Sequence, residues 1–160
     1  MTLSLSTKIV VAGCGSMGLP MARALLVGGY DTRGFDVRPS SEFEELCPLM
    51  LESLQNLESA DIALVVVRDQ KQIDEVCFGQ KGLYSGNSWP ETLIISSTVS
   101  PLFITGLTSR IPANVTLIDA PMSGAPFSAV DRSLTFMLGG DKSVISDPVS
   151  YTHLTLPTKA

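Results

Sequence analysis

The sequence lacks the features that mark several large classes of protein. Its three cysteines, Cys14, Cys47 and Cys77, are far apart and form no Cys-x-x-Cys pair. This arrangement argues against a disulfide framework and against a zinc site. No apolar run reaches the about 18 residues that a membrane span requires. Nor does the N-terminus show a basic region followed by a long apolar stretch, the pattern of a secretory signal. We therefore expect a reduced, cytoplasmic setting.

An excess of positive charge is also lacking. Lys and Arg together number 11 and Asp and Glu number 16, so the formal net charge is −5. This balance disfavours nucleic acid or an anionic membrane as the main partner. The single histidine, His153, lies close to the C-terminus. No Ser/His dyad and no histidine-ligated metal are therefore expected.

What the sequence does have is the alternation of an α/β domain. Its 160 residues, 44% hydrophobic and 17% charged, fit one globular domain. Short apolar runs predict strands over 8–12, 30–36, 61–67, 93–97, 116–120 and 134–138. Helical patterns lie between them over 19–27, 39–46, 70–78 and from Ser100-Pro101 onward. Strands and helices that alternate at this spacing predict a Rossmann-type doubly wound, mostly parallel sheet.

A glycine-rich turn follows the first predicted strand. It consists of Gly13, Cys14, Gly15, Ser16, Met17 and Gly18. In a G-x-G-x-x-G turn that opens a helix, the first glycine makes the tight turn and the second lets the backbone approach a pyrophosphate. The third lets helix and strand pack closely. The six residues are therefore predicted to bind a dinucleotide, the alternative being a plain glycine-rich turn.

An acidic residue ends the second predicted strand. Asp36, 23 residues after Gly13, can accept hydrogen bonds from the adenosine ribose hydroxyls and favours NAD. Arg38 could instead pair with the 2′-phosphate of NADP, or could be a solvated loop cation. The predicted cofactor is NAD, with NADP as the alternative.

Three segments resemble the β-hydroxyacid dehydrogenase family, which includes 3-hydroxyisobutyrate dehydrogenases. They are the glycine loop at 13–22, the Ser-Thr-x-x-Pro sequence at 97–101, and Asp-Ala-Pro-Met-Ser-Gly at 119–124. They occur in the order of that family, and the resemblance extends from residue 8 to about residue 142. It departs from the family pattern at Ala125, where a second glycine is usual.

The resemblance implies a function and further site residues. An intact protein of this family transfers a hydride between NAD(P) and a small β-hydroxy acid, and we expect it to be a homo-oligomer. The matching cofactor positions are Val67, Arg68, Gln72 and Thr98, and the matching substrate positions are Ser123 and Gly124. From the residues alone, Thr98 could also be a helix cap, and Ser123-Gly124 could be an ordinary turn.

Other parts of the family pattern are missing from this sequence. The resemblance implies a catalytic lysine on a helix beyond the cofactor domain and an all-helical C-terminal domain, and we find neither here. Lys142 follows Gly139-Gly140-Asp141, which resembles the loop that comes before the catalytic region in that family, so Lys142 is not assigned the catalytic role. We predict an NAD(P)-binding domain over 1–148 and a foreign tail over 149–160. Such a chain is expected to bind cofactor without efficient turnover.

Two other interpretations remain open. A free-standing dinucleotide-binding regulatory module would share the sheet and the glycine loop, but it has no use for the segment 119–124. A 6-phosphogluconate dehydrogenase would be expected to show Asn-Arg-Thr where this chain has Asp36-Val37-Arg38. An imine reductase would lack the Asp-Ala-Pro-x-Ser-Gly signature.

Overall fold

The computed structural model describes residues 4–55, 57 and 60–140. Lys142, His153 and the predicted tail at 149–160 lie outside the described residues. The strands are β1 Lys8–Ala12, β2 Asp31–Phe35, β3 Met50–Leu51, β4 Ile62–Val65, β5 Thr92–Ile95, β6 Thr116–Asp119, β7 Met122–Ser123 and β8 Thr135–Phe136. The α-helices are α1 Gly18–Val27, α2 Gln70–Phe78, α3 Pro101–Thr108 and α4 Pro126–Val130.

Six of the strands form a parallel sheet in the order β3-β2-β1-β4-β5-β6. The chain runs outward from β1 to β3 and then returns to the other side of β1, which creates a topological switch point between β1 and β4. Ala12 is in register with both Phe35 of β2 and Val65 of β4. The carboxyl ends of these three strands therefore lie side by side. The predicted Rossmann-type fold is confirmed.

Two hydrophobic cores cover opposite faces of this sheet. Alternate residues of β1 point into different cores: Ile9 and Val11 into one, and Val10 and Ala12 into the other. A central parallel strand is buried on both faces, so its sequence is continuously apolar rather than alternating. No helix in the described part of the chain is long and apolar enough to cross a membrane.

The helix predicted over 39–46 is wrong in type. The structure has a 3-10 helix over Ser40–Leu49, which is interrupted at Glu44, where φ is 47°. Pro48 lies inside this segment and has no N–H to donate, so it disfavours a regular α-helix. The segment leads directly into β3, a two-residue edge strand that the sequence did not predict.

The strand predicted over 134–138 is present over Thr135–Phe136, but it does not join the parallel sheet. Thr135–Phe136 instead pairs antiparallel with Met122–Ser123. Helix α4 between them has five residues, too few to carry the chain back along the sheet and start another parallel strand. The two-stranded ribbon of β7 and β8 remains beside the parallel sheet, since Gly139 and Asp119 exchange backbone hydrogen bonds of 2.7 and 2.8 Å.

Candidate functional site at the carboxyl edge of the sheet

The glycine loop joins β1 to α1 in a conformation that requires glycine. Gly13 has a φ of 97°, a region that other residues rarely adopt. A Cβ at Gly13 would collide with the carbonyl oxygen of Val66, and a Cβ at Gly18 with that of Gly13. Gly15 has nothing within 4 Å of the corresponding position. The first and third glycines are therefore needed for packing, whereas the second leaves open space.

This open space lies beside unpaired backbone donors. Across the described residues, the N–H groups of Gly15, Ser16 and Met17 have no hydrogen-bond acceptor. They precede the first turn of α1, which begins at Gly18 and has no side-chain cap. Unpaired N–H groups and the positive end of a helix dipole together attract an anion. The arrangement fits the pyrophosphate of a dinucleotide.

Cys14 contributes to this loop through its backbone rather than its thiol. Its side chain is completely buried, and Sγ lies 3.5 Å from the carbonyl oxygen of Val11, to which it donates. Burial raises the pKa of the Cys14 thiol to about 11, so the thiol is neutral and is not an activated nucleophile. The carbonyl oxygen of Cys14 accepts a 2.8 Å hydrogen bond from Nη2 of Arg38.

Asp36 and Arg38 form a compact pair at the end of β2. Oδ1 of Asp36 accepts hydrogen bonds from both the backbone N–H and Nε of Arg38, each at 3.1 Å. The Asp36 side chain is only 10% exposed, whereas that of Arg38 is 45% exposed. The hydrogen bond to Asp36 raises the pKa of the Arg38 guanidinium. Arg38 is thus a half-exposed cation that is paired with Asp36.

These elements surround one cleft of about 980 Å³ at the switch point. Of the residues predicted to bind cofactor, those that line it are Gly13, Gly15, Ser16, Met17, Asp36, Arg38, Val67, Arg68 and Gln72. The predicted residues outside its lining are Cys14, Gly18, Thr98, Ser123 and Gly124. Backbone donors at one end and a carboxylate at the other fit a ligand that carries both a phosphate and a ribose.

Sequence reasoning missed the far wall of the cleft. Glu75 and Val76 on α2, together with Leu51 and Leu54, line it in addition to the predicted residues. Glu75 and Val76 lie three and four positions after Gln72, so they share its helix face. Helical periodicity from Gln72 would have identified them. Leu51 and Leu54 follow the irregular segment after β2 and had no such signal.

Buried Ser97, also missed, fixes the loop that follows β4. Its Oγ donates to the carbonyl oxygen of Val67 at 2.6 Å and accepts from the N–H of Val67 at 3.2 Å. The next residue along that loop, Arg68, donates its backbone N–H to Oε1 of Gln72 at 3.0 Å. Two side chains thus satisfy the backbone of a loop that lines the cleft. A single serine at the end of a strand belongs to no sequence pattern that would have predicted this role.

Ser97→Ala is expected to lower the free energy of unfolding by about 1–3 kcal/mol, because it leaves the N–H and carbonyl groups of Val67 without their partner. Urea unfolding followed by circular dichroism measures the change. Exposed Thr98, the adjacent residue, provides the control, and Thr98→Ala should change stability by less than about 0.5 kcal/mol. Equal stability of the two variants would show that Ser97 does not hold the loop.

Three further predicted residues, Thr98, Ser123 and Gly124, lie outside the cleft lining. Thr98 is exposed and is not the cap of α3, because Ser100 accepts the N–H of Phe103 at 3.2 Å. Ser123 is exposed on β7, next to Met122, which lines the cleft. Gly124 has a φ of 141° and packs against Leu134 and Ser128. The roles of Thr98, Ser123 and Gly124 stay predictions.

Known proteins include relatives of this chain. The chain is 31% identical to 2-hydroxy-3-oxopropionate reductase of Escherichia coli over 86% of its own length and 48% of that protein. It is 30% identical to 3-hydroxyisobutyrate dehydrogenase of Pseudomonas aeruginosa, over 84% of this chain and 46% of that one. The chain therefore spans about half the length of these curated relatives.

Solved structures show the same fold. A 3-hydroxyisobutyrate dehydrogenase of Mycobacterium tuberculosis with L-serine superimposes with a TM-score of 0.75 at 28% identity, over 90% of this chain and 50% of that one. An imine reductase of Myxococcus stipitatus in complex with NAD+ gives 0.77 at 16% identity, over 94% and 52%, and supports the fold alone. The family model of the NAD binding domain of 6-phosphogluconate dehydrogenase matches residues 8–149. The predicted resemblance is confirmed, and the chain belongs to this family of NAD-binding domains.

Proposed function

We propose that this chain is the cofactor-binding half of an oxidoreductase that interconverts a small β-hydroxy acid and its aldehyde or ketone. One observation carries the proposal. The same cleft contains both the unpaired N–H groups of the glycine loop and the Asp36 carboxylate. The relatives named above as hydroxyacid dehydrogenases or reductases support the substrate class.

The glycine loop would hold the pyrophosphate of NAD. Within the described residues, the N–H groups of Gly15, Ser16 and Met17 donate no hydrogen bond. Hydrogen bonds from backbone N–H groups to an ionised phosphate are stronger than those between neutral groups. Gly15 leaves the space that lets the phosphate oxygens approach them.

The Asp36 carboxylate would orient the adenosine ribose. Arg38 already occupies Oδ1, while Oδ2 is 3.5 Å from Nη2 of Arg38. Oδ2 is therefore the oxygen better placed to accept a ribose hydroxyl. An ionised carboxylate can accept several hydrogen bonds at once, so binding ribose does not require Arg38 to leave.

Val67, Arg68, Gln72 and Thr98 would border the nicotinamide side of the cleft. The bound nicotinamide ring supplies the hydride chemistry, while the protein supplies orientation and electrostatics. Ser97 holds the loop that carries Val67 and Arg68. Ser123 and Gly124, beside Met122 at the cleft, would offer a hydroxyl group and a backbone N–H to the substrate carboxylate.

The proposal predicts binding without turnover. Proton transfer to and from the substrate hydroxyl needs a positioned acid or base, and the sequence offers no lysine in the expected context. The 160-residue chain should therefore bind NADH saturably, as measured by nicotinamide fluorescence. It should show no NADH formation above background with NAD+ and 3-hydroxyisobutyrate.

An intact 3-hydroxyisobutyrate dehydrogenase provides the positive control for the assay. Clear turnover by this chain would contradict the predicted lack of a catalytic base. A folded chain that bound no NADH would overturn the proposed function itself. Circular dichroism on the same sample distinguishes that outcome from misfolding.

A further inference from the structure

One buried hydroxyl group binds both backbone polar groups of a residue in another loop. Oγ of Ser97 donates to the carbonyl oxygen of Val67 and accepts from the N–H of the same residue. Ser97 is 4% exposed and lies 30 positions from Val67 in the sequence. Water has little access to such a hydroxyl group, so the two hydrogen bonds fix the backbone of Val67 against the segment that follows β5.

Val67 in turn contacts the glycine loop and lines the cleft. A Cβ at Gly13 would be 2.8 Å from Cγ1 of Val67, so the two residues are closely packed. The next residue, Arg68, has an exposed side chain that lines the cleft and forms no ion pair with the other described residues. Ser97 itself is not part of the cleft lining. Its hydroxyl group therefore supports, from outside the cleft, two residues that border it.

We propose that Ser97 is a positioning residue for the nicotinamide half of the cofactor. The inference rests on the proposed function, in which Val67 and Arg68 border that half. Ser97 acts through the backbone of these two residues and does not touch the cofactor. Without its hydroxyl group, the loop after β4 would sample more conformations, and the cofactor would have to order the loop on binding. This ordering lowers affinity even though no contact with the cofactor has been removed.

The neighbouring serine shows that burial alone does not create this role. Ser96 is 1% exposed, and its Oγ has no hydrogen-bond partner within the described part of the chain. Successive side chains at the end of a strand point to opposite faces of the sheet, so the two hydroxyl groups lie in different surroundings. Only that of Ser97 connects two loops. Ser96 therefore provides a control of the same size and nearly the same burial, one position away.

Two ligands that differ only at the nicotinamide end test the proposal. Dissociation constants for NADH, by fluorescence titration, and for ADP-ribose, by competition with NADH, are measured for the unmodified chain, Ser97→Ala, Ser97→Thr and Ser96→Ala. Ser97→Thr keeps the hydroxyl group, and Ser96→Ala is the matched control. Circular dichroism shows that each variant is folded under the conditions of the titration. Ser97→Cys, which keeps the size but weakens the hydrogen bonds, replaces Ser97→Ala if the latter does not fold.

We expect Ser97→Ala to bind NADH about tenfold more weakly and ADP-ribose less than about twofold more weakly. Folded Ser97→Thr should recover most of the NADH affinity, and Ser96→Ala should change neither constant. The proposal is overturned if Ser97→Ala keeps its NADH affinity, or if both ligands weaken equally, because a merely structural role would loosen the whole cleft.

The proposal is also overturned if folded Ser97→Thr binds NADH as weakly as Ser97→Ala, since the hydroxyl group would then not be the cause. An unmodified chain that binds neither ligand refutes the proposed function as well. An unmodified chain that binds both, with variants that depart from these expectations, refutes only the positioning role of Ser97.

Discussion

Replacing Gly15 with valine is expected to weaken NADH binding by roughly 100-fold, which corresponds to the loss of about two charge-assisted hydrogen bonds. Gly15 borders open space and is not among the glycines with positive φ, so the side chain can be accommodated by the fold. Its methyl groups would fill the space in front of the unpaired N–H groups. Fluorescence titration with NADH measures the effect.

The urea midpoint of Gly15→Val should equal that of the unmodified chain. This result would show that the variant loses recognition and not structure. Retention of NADH affinity in Gly15→Val would mean that the dinucleotide does not approach the backbone here. The assignment of the glycine loop as the pyrophosphate site would then be wrong.

Gly13→Ala, in contrast, is expected to change stability, lowering the free energy of unfolding by about 2–4 kcal/mol. The new Cβ would be forced against the carbonyl oxygen of Val66 while the residue remains at a φ of 97°. Overpacking and left-handed backbone strain each contribute about 1–3 kcal/mol. The urea midpoint is the measurement.

Gly15→Val is the matched control for Gly13→Ala, because the two glycines belong to one loop and differ in packing. The two variants together distinguish a glycine that is needed for close packing from one that leaves space for the ligand. If Gly13→Ala were as stable as the unmodified chain, the close contact between the loop and β4 would not be a constraint on folding.

Much of the fold could be predicted because its central strands are buried on both faces. The runs at β1 and β4 are continuously apolar, and no other environment in a small domain suits such runs so well. The short strands β3, β7 and β8 have two residues each. They carry no periodicity, since pairing with neighbours rather than local pattern defines them. The helix predicted over 39–46 was wrong in type for a related reason, because Glu44 and Pro48 interrupt a pattern that is otherwise helical.

The candidate site was predictable where chemistry imposes spacing. The glycine loop and Asp36 have a required separation and sequence context, and the structure places both at one cleft. Ser97 was missed because its role depends on Val67, 30 positions away in sequence. The orientation of Arg38 was missed as well. Its sequence position allowed a solvated cation or a phosphate ligand. The contacts of its guanidinium with Asp36, Cys14 and Phe43 depend on the fold and are visible only in the structure.

The location of the cleft has a consequence for how this domain can diversify. Most side chains that border the cleft lie beyond the carboxyl ends of the strands, whereas the two cores lie between the sheet and its helices. The polar residues of the cleft, such as Asp36 and Gln72, lie outside both cores, whereas apolar lining residues such as Leu54 and Val76 belong to one of them. Substitutions at positions such as Asp36 or Gln72 can accumulate without repacking an interior. We therefore expect single substitutions at such polar positions to change cofactor binding while the domain remains folded.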